Sequence, residues 1–189
     1  MNTDPLPRTG ALRKQYAASD AHQELPLPDG PSLQAATRAL AEALETGEGP
    51  PVKKAGDALL GLLAAHYQVK RPLLTVLGAR PHTVVEGQYS WELFGDYTPS
   101  TEKIRVWMRT AVLGKVTSFR GLLNTLLHEF CHHLDIRSLG YGDTPHTRGF
   151  FHRIDGLYHL ALDTPPEKRK PLVWIKSRGG WRVDWRKLR

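Results

Sequence analysis

The sequence predicts an α+β domain carrying a small mixed or antiparallel sheet, and three observations point there. Four stretches, near residues 32–46, 54–69, 119–138 and 147–162, place apolar residues at the helical period. Three shorter ones, near 73–77, 88–94 and 102–109, run apolar or alternate at the strand period. Clusters of Gly, Pro, Asp and Thr stand between them, so each reads as a separate element. A chain of 189 residues suits one such domain with tails and can bury a sizeable core.

Residues 1–30 hold Pro5, Pro7, Pro26 and Pro28, scattered charge and no sustained period. They predict a flexible arm with a short helical piece near Ala11 to Ala18. Pro31-Ser32 opens a packing helix with Leu33, Ala36, Leu40 and Leu44 on one side, and Gly47-Glu48-Gly49-Pro50-Pro51 ends it. A second helix, rich in Ala and Leu, is expected from Lys54 to Val69; His66 on it reads as an ordinary helix histidine.

Leu73 to Leu77 reads as a short buried strand ending at Gly78. Gln88 to Phe94 alternates, with Tyr89, Trp91 and Leu93 on one face, and Gly95 to Ser100 reads as a turn. Glu102 to Arg109 alternates again, with Ile104, Val106 and Met108 opposite Arg105, Trp107 and Arg109. An antiparallel hairpin beside the first strand is the expectation. The Arg-Trp-Arg face reads as solvated sheet surface in preference to a nucleic-acid contact.

The helix from Phe119 to Ser138, with Thr117 or Ser118 as its cap, carries Leu126-Leu127-His128-Glu129-Phe130-Cys131-His132-His133-Leu134-Asp135. At about 100° per residue, Thr125, His128, His132 and Asp135 share a face roughly 80° wide, bordered by Glu129. Phe119, Leu123, Leu126, Phe130 and Leu134 lie opposite, so the polar stripe is not buried by default. Two imidazoles at i and i+4 stand one above the other and can share a metal ion. Glu129 is offset, beside the ion and not on it, where a carboxylate can take a proton from a water acidified by the cation. The competing reading is a helix with surface histidines.

A catalytic zinc usually takes three protein ligands and leaves one position for water. The only Glu after Glu129 is Glu167, in an exit segment, so the candidates for the third are Asp135, His133, Asp143, His146, His152, Asp155 and His159. His133 lies about 100° round the helix from His132. Asp135 sits one turn on, better placed to orient an imidazole than to bind. His146 follows Gly-Asp-Thr-Pro and opens the helix Thr147 to Leu162, whose Phe150 and Phe151 anchor it in the core; His146 is the favoured ligand. Cys131 reads as a small buried residue, and Tyr141 either packs its loop or reaches a reacting oxygen.

His128-Glu129-x-x-His132, thirteen residues of loop, and then His146-x-x-x-Phe150 on a following helix resembles the SprT-like (Spartan-type) zinc metallopeptidases, over roughly residues 70–162. The resemblance implies a minimal zincin-like domain with His128, His132 and His146 as zinc ligands and Glu129 as general acid/base. It implies a protein or peptide substrate, typically DNA-associated, in the cytosol or nucleus. The chain departs from that pattern twice: one cysteine forbids the zinc ribbon of many bacterial members, and Thr147 follows His146 where the family has glycine.

The composition, 40% apolar and 24% charged, is that of an ordinary soluble protein, and the single Cys131 excludes an internal disulfide framework. No apolar segment resembles a signal peptide or spans a bilayer, so a cytoplasmic place, or a nuclear one in a eukaryote, is expected. The net charge of +7 belongs to residues 166–189, where nine Lys or Arg face only Glu167 and Asp184. This segment interleaves Arg178, Arg182 and Arg186 with Trp181 and Trp185, a composition suited to DNA. A terminal hairpin that packs its tryptophans is the equal alternative. The leading expectation is therefore a zinc endopeptidase domain, 31–165, with a basic tail. The alternative is a nucleic-acid-binding module whose zinc is structural or vestigial, marked by a fourth ligand from Cys131 or Asp135.

Overall fold

The computed structural model describes residues 1–85 and 88–187, and for 84–85 and 88–91 the backbone alone. It is mixed α+β, with five helices and a small sheet. Helices α1 (Gly10–Ala21), α2 (Gly30–Glu45) and α3 (Gly49–His66) come first. Strands β1 (Leu73–Ala79), β2 (His82–Val85), β3 (Gln88–Glu92), β4 (Gly95–Thr98) and β5 (Lys103–Arg109) follow. Then come α4 (Phe119–Arg137), α5 (Arg148–Ala161) and the strands β6 (Trp174–Ser177) and β7 (Gly180–Val183).

Helix α3 starts five residues earlier than its apolar period suggests. Pro50 and Pro51 open it instead of only ending α2, because the first turn of a helix has no use for their missing N–H groups. Leu33, Leu40, Leu59 and Leu63 are sealed between α2 and α3, with Leu123, Leu127 and Phe130 of α4 and Phe150 and Leu157 of α5 completing the core. Full burial of each such side chain is worth about 1.5–3 kcal/mol.

The expected hairpin is corrected. Strand β5 pairs with β4, the stretch read as a turn, while Gln88–Glu92 pairs antiparallel with β2. Strand β1 runs parallel to β5, Leu74 beside Ile104 and Val76 beside Val106, giving the order β1-β5-β4 with β4 at the edge. The alternation of β5 holds, since Ile104, Val106 and Met108 are buried. Trp107 on the other face is buried too, and Arg109 donates to the carbonyls of Gly47 (2.7 Å) and Gly114 (3.0 Å), so these two serve packing, while Arg105 stays exposed and pairs with Asp96. The face assigned to Tyr89 and Trp91 lies outside the described residues.

A second correction falls on the N-terminal arm. Helix α1 packs on α5, and Gly149 lets it approach: a Cβ there would strike the carbonyl oxygens of Ser19, Asp20 and His22. Thr3 N–H donates to Trp181 O (2.8 Å) and Val183 N–H to Met1 O (3.1 Å), so residues 1–3 line up with β7. Those partners lie about as far away along the chain as possible, which is why no local pattern announced them.

The tail forms the hairpin β6–β7. Trp174 packs on Phe151 (centroids 5.8 Å apart) and Trp181 receives the Arg148 guanidinium at 4.6 Å, while Arg178, Arg182 and Arg186 stay exposed. No helix among the described residues is long and apolar enough to cross a membrane.

Candidate metal centre

Helix α4 is set by Ser118, whose Oγ accepts from Gly121 N–H (3.2 Å) and satisfies one of the free donors of the first turn. Its apolar side enters the core as expected. Its polar side does not stay open: Thr125, Glu129, His132 and Asp135 are each less than a tenth exposed, because α5 and the edge strand β4 cover them. Gly95 of β4 makes this possible, since a Cβ there would lie 2.5 Å from Thr125 Cγ2 and 3.1 Å from Glu129 Cγ.

The tight loop before α5 returns His146 to α4. His128 Nε2 lies 3.0 Å from His146 Nε2 and 3.1 Å from His132 Nε2, and the three nitrogens fall within 4.8 Å of one another. Phe150, fully buried, packs against all three rings with centroids 5.0, 4.6 and 5.1 Å away. These three histidines lie close enough to hold one metal ion.

For His132 and His146 the opposite ring nitrogen fixes the tautomer. His132 Nδ1 meets Thr144 Oγ1 at 2.7 Å, and that hydroxyl gives its own proton to Asp135 Oδ2 at 3.1 Å; the hydroxyl therefore accepts from His132. Asp4 accepts from His146 N–H at 2.8 Å and approaches His146 Nδ1 at 3.4 Å, and a carboxylate has no proton to give. Both imidazoles thus carry hydrogen on Nδ1 and present bare Nε2, the tautomer inferred from its partners. Contact with His146 holds the Asp4 carboxyl below the usual range. Burial pushes His128 down to about 3 and His132 well below its ordinary value, so both stay neutral.

The nitrogens 3.0 and 3.1 Å from His128 Nε2 are close enough to share either a proton or a metal cation with it. Tetrahedral zinc with Zn–N near 2.05 Å would set such nitrogens about 3.3 Å apart. The donor set fits: three imidazole nitrogens suit a borderline metal, and a cleft of about 500 Å³ lined by Asp4, Gly95, Tyr97 and Thr144 opens beside them.

Glu129 lines the same cleft, and burial raises its carboxyl to about 8, with Asp96 adding to the shift. Thr144 holds its hydroxyl in place from a left-handed backbone (φ +36°), an unfavourable conformation for a β-branched residue, retained where it bridges His132 and Asp135. Asp135 in turn receives Arg153 Nη2 at 2.8 Å.

Of the other candidates, Asp143 lines the same cleft but is not among the converging groups, and the histidines are engaged elsewhere. His133 contacts Lys70 O (2.8 Å) and Tyr97 Oη (2.9 Å), and His152 accepts from Trp174 Nε1 (3.2 Å). His159 sits 3.5 Å from Asp155, and Tyr141 Oη lies 3.2 Å from His22 Nδ1, packing its loop. Cys131 is buried, and burial pushes its thiol up. Asp4, Thr144 and Arg153 are the site residues that sequence reasoning missed; none carries a local signal, and Asp4 lies at the far end of the chain.

No family model, curated protein or solved structure matches this chain.

Proposed function

We propose that this chain is a zinc-dependent endopeptidase of the SprT-like kind. The observation that carries the reading is the convergence of the Nε2 atoms of three histidines beside the buried carboxyl of Glu129, which opens onto the same cleft. Zinc, when bound by His128, His132 and His146, supplies the Lewis acidity that polarises a carbonyl and acidifies a water. Glu129 in its carboxylate form, which a bound dication beside it would favour against the effect of burial, then takes a proton from the water and hands it to the leaving amine. The free edge of β4 beside Glu129 offers backbone groups to an extended peptide.

A structural zinc would call on Cys131 or Asp135 as a fourth ligand. Asp135 is committed to Arg153 and Thr144, and Cys131 is not among the converging groups, which supports an open site. The exposed Arg178, Arg182 and Arg186 favour DNA-associated proteins as substrates. Elemental analysis of the purified protein, joined to protease assays with and without single-stranded DNA, tests the reading. About one zinc per chain with metal-dependent cleavage is expected; a zinc-loaded protein that cleaves nothing under either condition overturns it.

A further inference from the structure

Two cavities adjoin the metal cleft on the far side of Glu129. The first, about 540 Å³, reaches from His128 and Glu129 to the apolar side chains of Leu93, Phe94, Phe151 and Ile154. The second, about 500 Å³, carries Arg120, Lys168 and Lys170 against walls of Tyr158, Leu172 and Trp185. Met1, Asn124 and Ile154 line both, so they run together as one groove. The second cavity has one carboxylate among its lining residues, Asp155, 3.5 Å from His159 Nε2, and none of the three cations is ion-paired among the described residues. The groove is thus apolar next to the candidate site and cationic beyond it.

Resting on the peptidase reading above, we propose that this groove selects the substrate: a large apolar side chain directly after the cut, and an acidic one two or three residues further on. Glu129 delivers its proton to the leaving amine, so the residues on the amine side depart past Glu129 into the first cavity. A space of 540 Å³ is about 10 Å across, which is three residues of extended chain at ~3.3 Å each. The next side chain to arrive meets Arg120, Lys168 and Lys170. A nucleic acid strand fits less well, because its evenly spaced phosphates would have to lie along the apolar section as well.

Binding is measured on zinc-loaded Glu129→Gln protein with fluorescein-labelled decapeptides, so that no turnover is needed, and cut sites are mapped for the wild type on a peptide library. Leu or Phe over Gly or Lys in the first cavity is expected to gain ten- to a hundredfold, on the order of a buried side chain. Glu over Lys further on is expected to gain about two- to fivefold per contact. Lys168→Glu/Lys170→Glu, both at exposed positions, inverts the second preference and leaves the first; Phe94→Ala, partly exposed, weakens the first alone. Binding without preference, preferences unmoved by these variants, or displacement of the peptide by single-stranded DNA overturns the proposal. Selective binding with no cleavage sinks the peptidase reading and keeps the groove as a peptide site; cleavage without selectivity does the reverse.

Discussion

Arg153 and Asp135 pair at 2.8 Å with their side chains 1% and 0% exposed, directly behind the candidate metal centre. The guanidinium also donates to Ser19 O (3.1 Å) and His22 O (2.6 Å) at the end of α1, while the carboxylate supports Thr144 and through it His132. One buried pair thus ties the N-terminal helix to the orientation of a histidine.

Removing the cation strands a buried carboxylate and leaves helix-end carbonyls without donors. Arg153→Met is expected to cost about 3–5 kcal/mol of stability, read as a lowered midpoint in urea unfolding at unchanged slope. A loss under about 1 kcal/mol would show that water replaces the guanidinium.

The chain His132–Thr144–Asp135 predicts an effect on metal affinity without loss of a ligand. Thr144→Val should weaken zinc binding on the order of tenfold to a hundredfold in competition with a chelating dye, and Thr144→Ser should restore most of it. Equal affinity in all three proteins would remove the hydroxyl from the site.

Glu129→Gln should hold about one zinc per chain while peptide hydrolysis falls by roughly 10²–10⁴-fold, the usual worth of a positioned acid/base. Loss of zinc from this variant would make Glu129 a ligand.

His146→Ala should lower zinc affinity far more than His133→Ala or His152→Ala, whose rings are engaged with Lys70, Tyr97 and Trp174. Because the ion would join α4 to the start of α5, stripping it should also lower the Tm, and titrating zinc back should raise it with concentration. Intact zinc binding in His146→Ala would refute the ligand set.

Reversing Arg178, Arg182 and Arg186 to Glu should weaken binding to single-stranded DNA and flatten its salt dependence by up to about 0.7 per lost phosphate contact. An unchanged slope would take DNA out of the account and leave the peptidase reading untouched.

By itself the sequence determined what depends on near neighbours. The face of α4 that joins His128 to His132 follows from helical period, the cap at Ser118 from one side chain, and the return of His146 from a short loop tied to a helix that Phe150 anchors. Each of these is decided within about twenty residues. Tertiary structure decided the rest. Gly95–Thr98 reads as a turn because its residues are turn formers, yet it is an edge strand: pairing with β5 and the close approach to Glu129 override propensity. The polar stripe of α4 reads as open, yet it is covered, because whether a face is buried depends on what packs against it. Asp4 reads as part of a mobile arm, yet it touches His146, 142 residues away. A contact of that range is a hydrogen bond between groups that no periodicity relates, so it exists only once the chain has closed on itself.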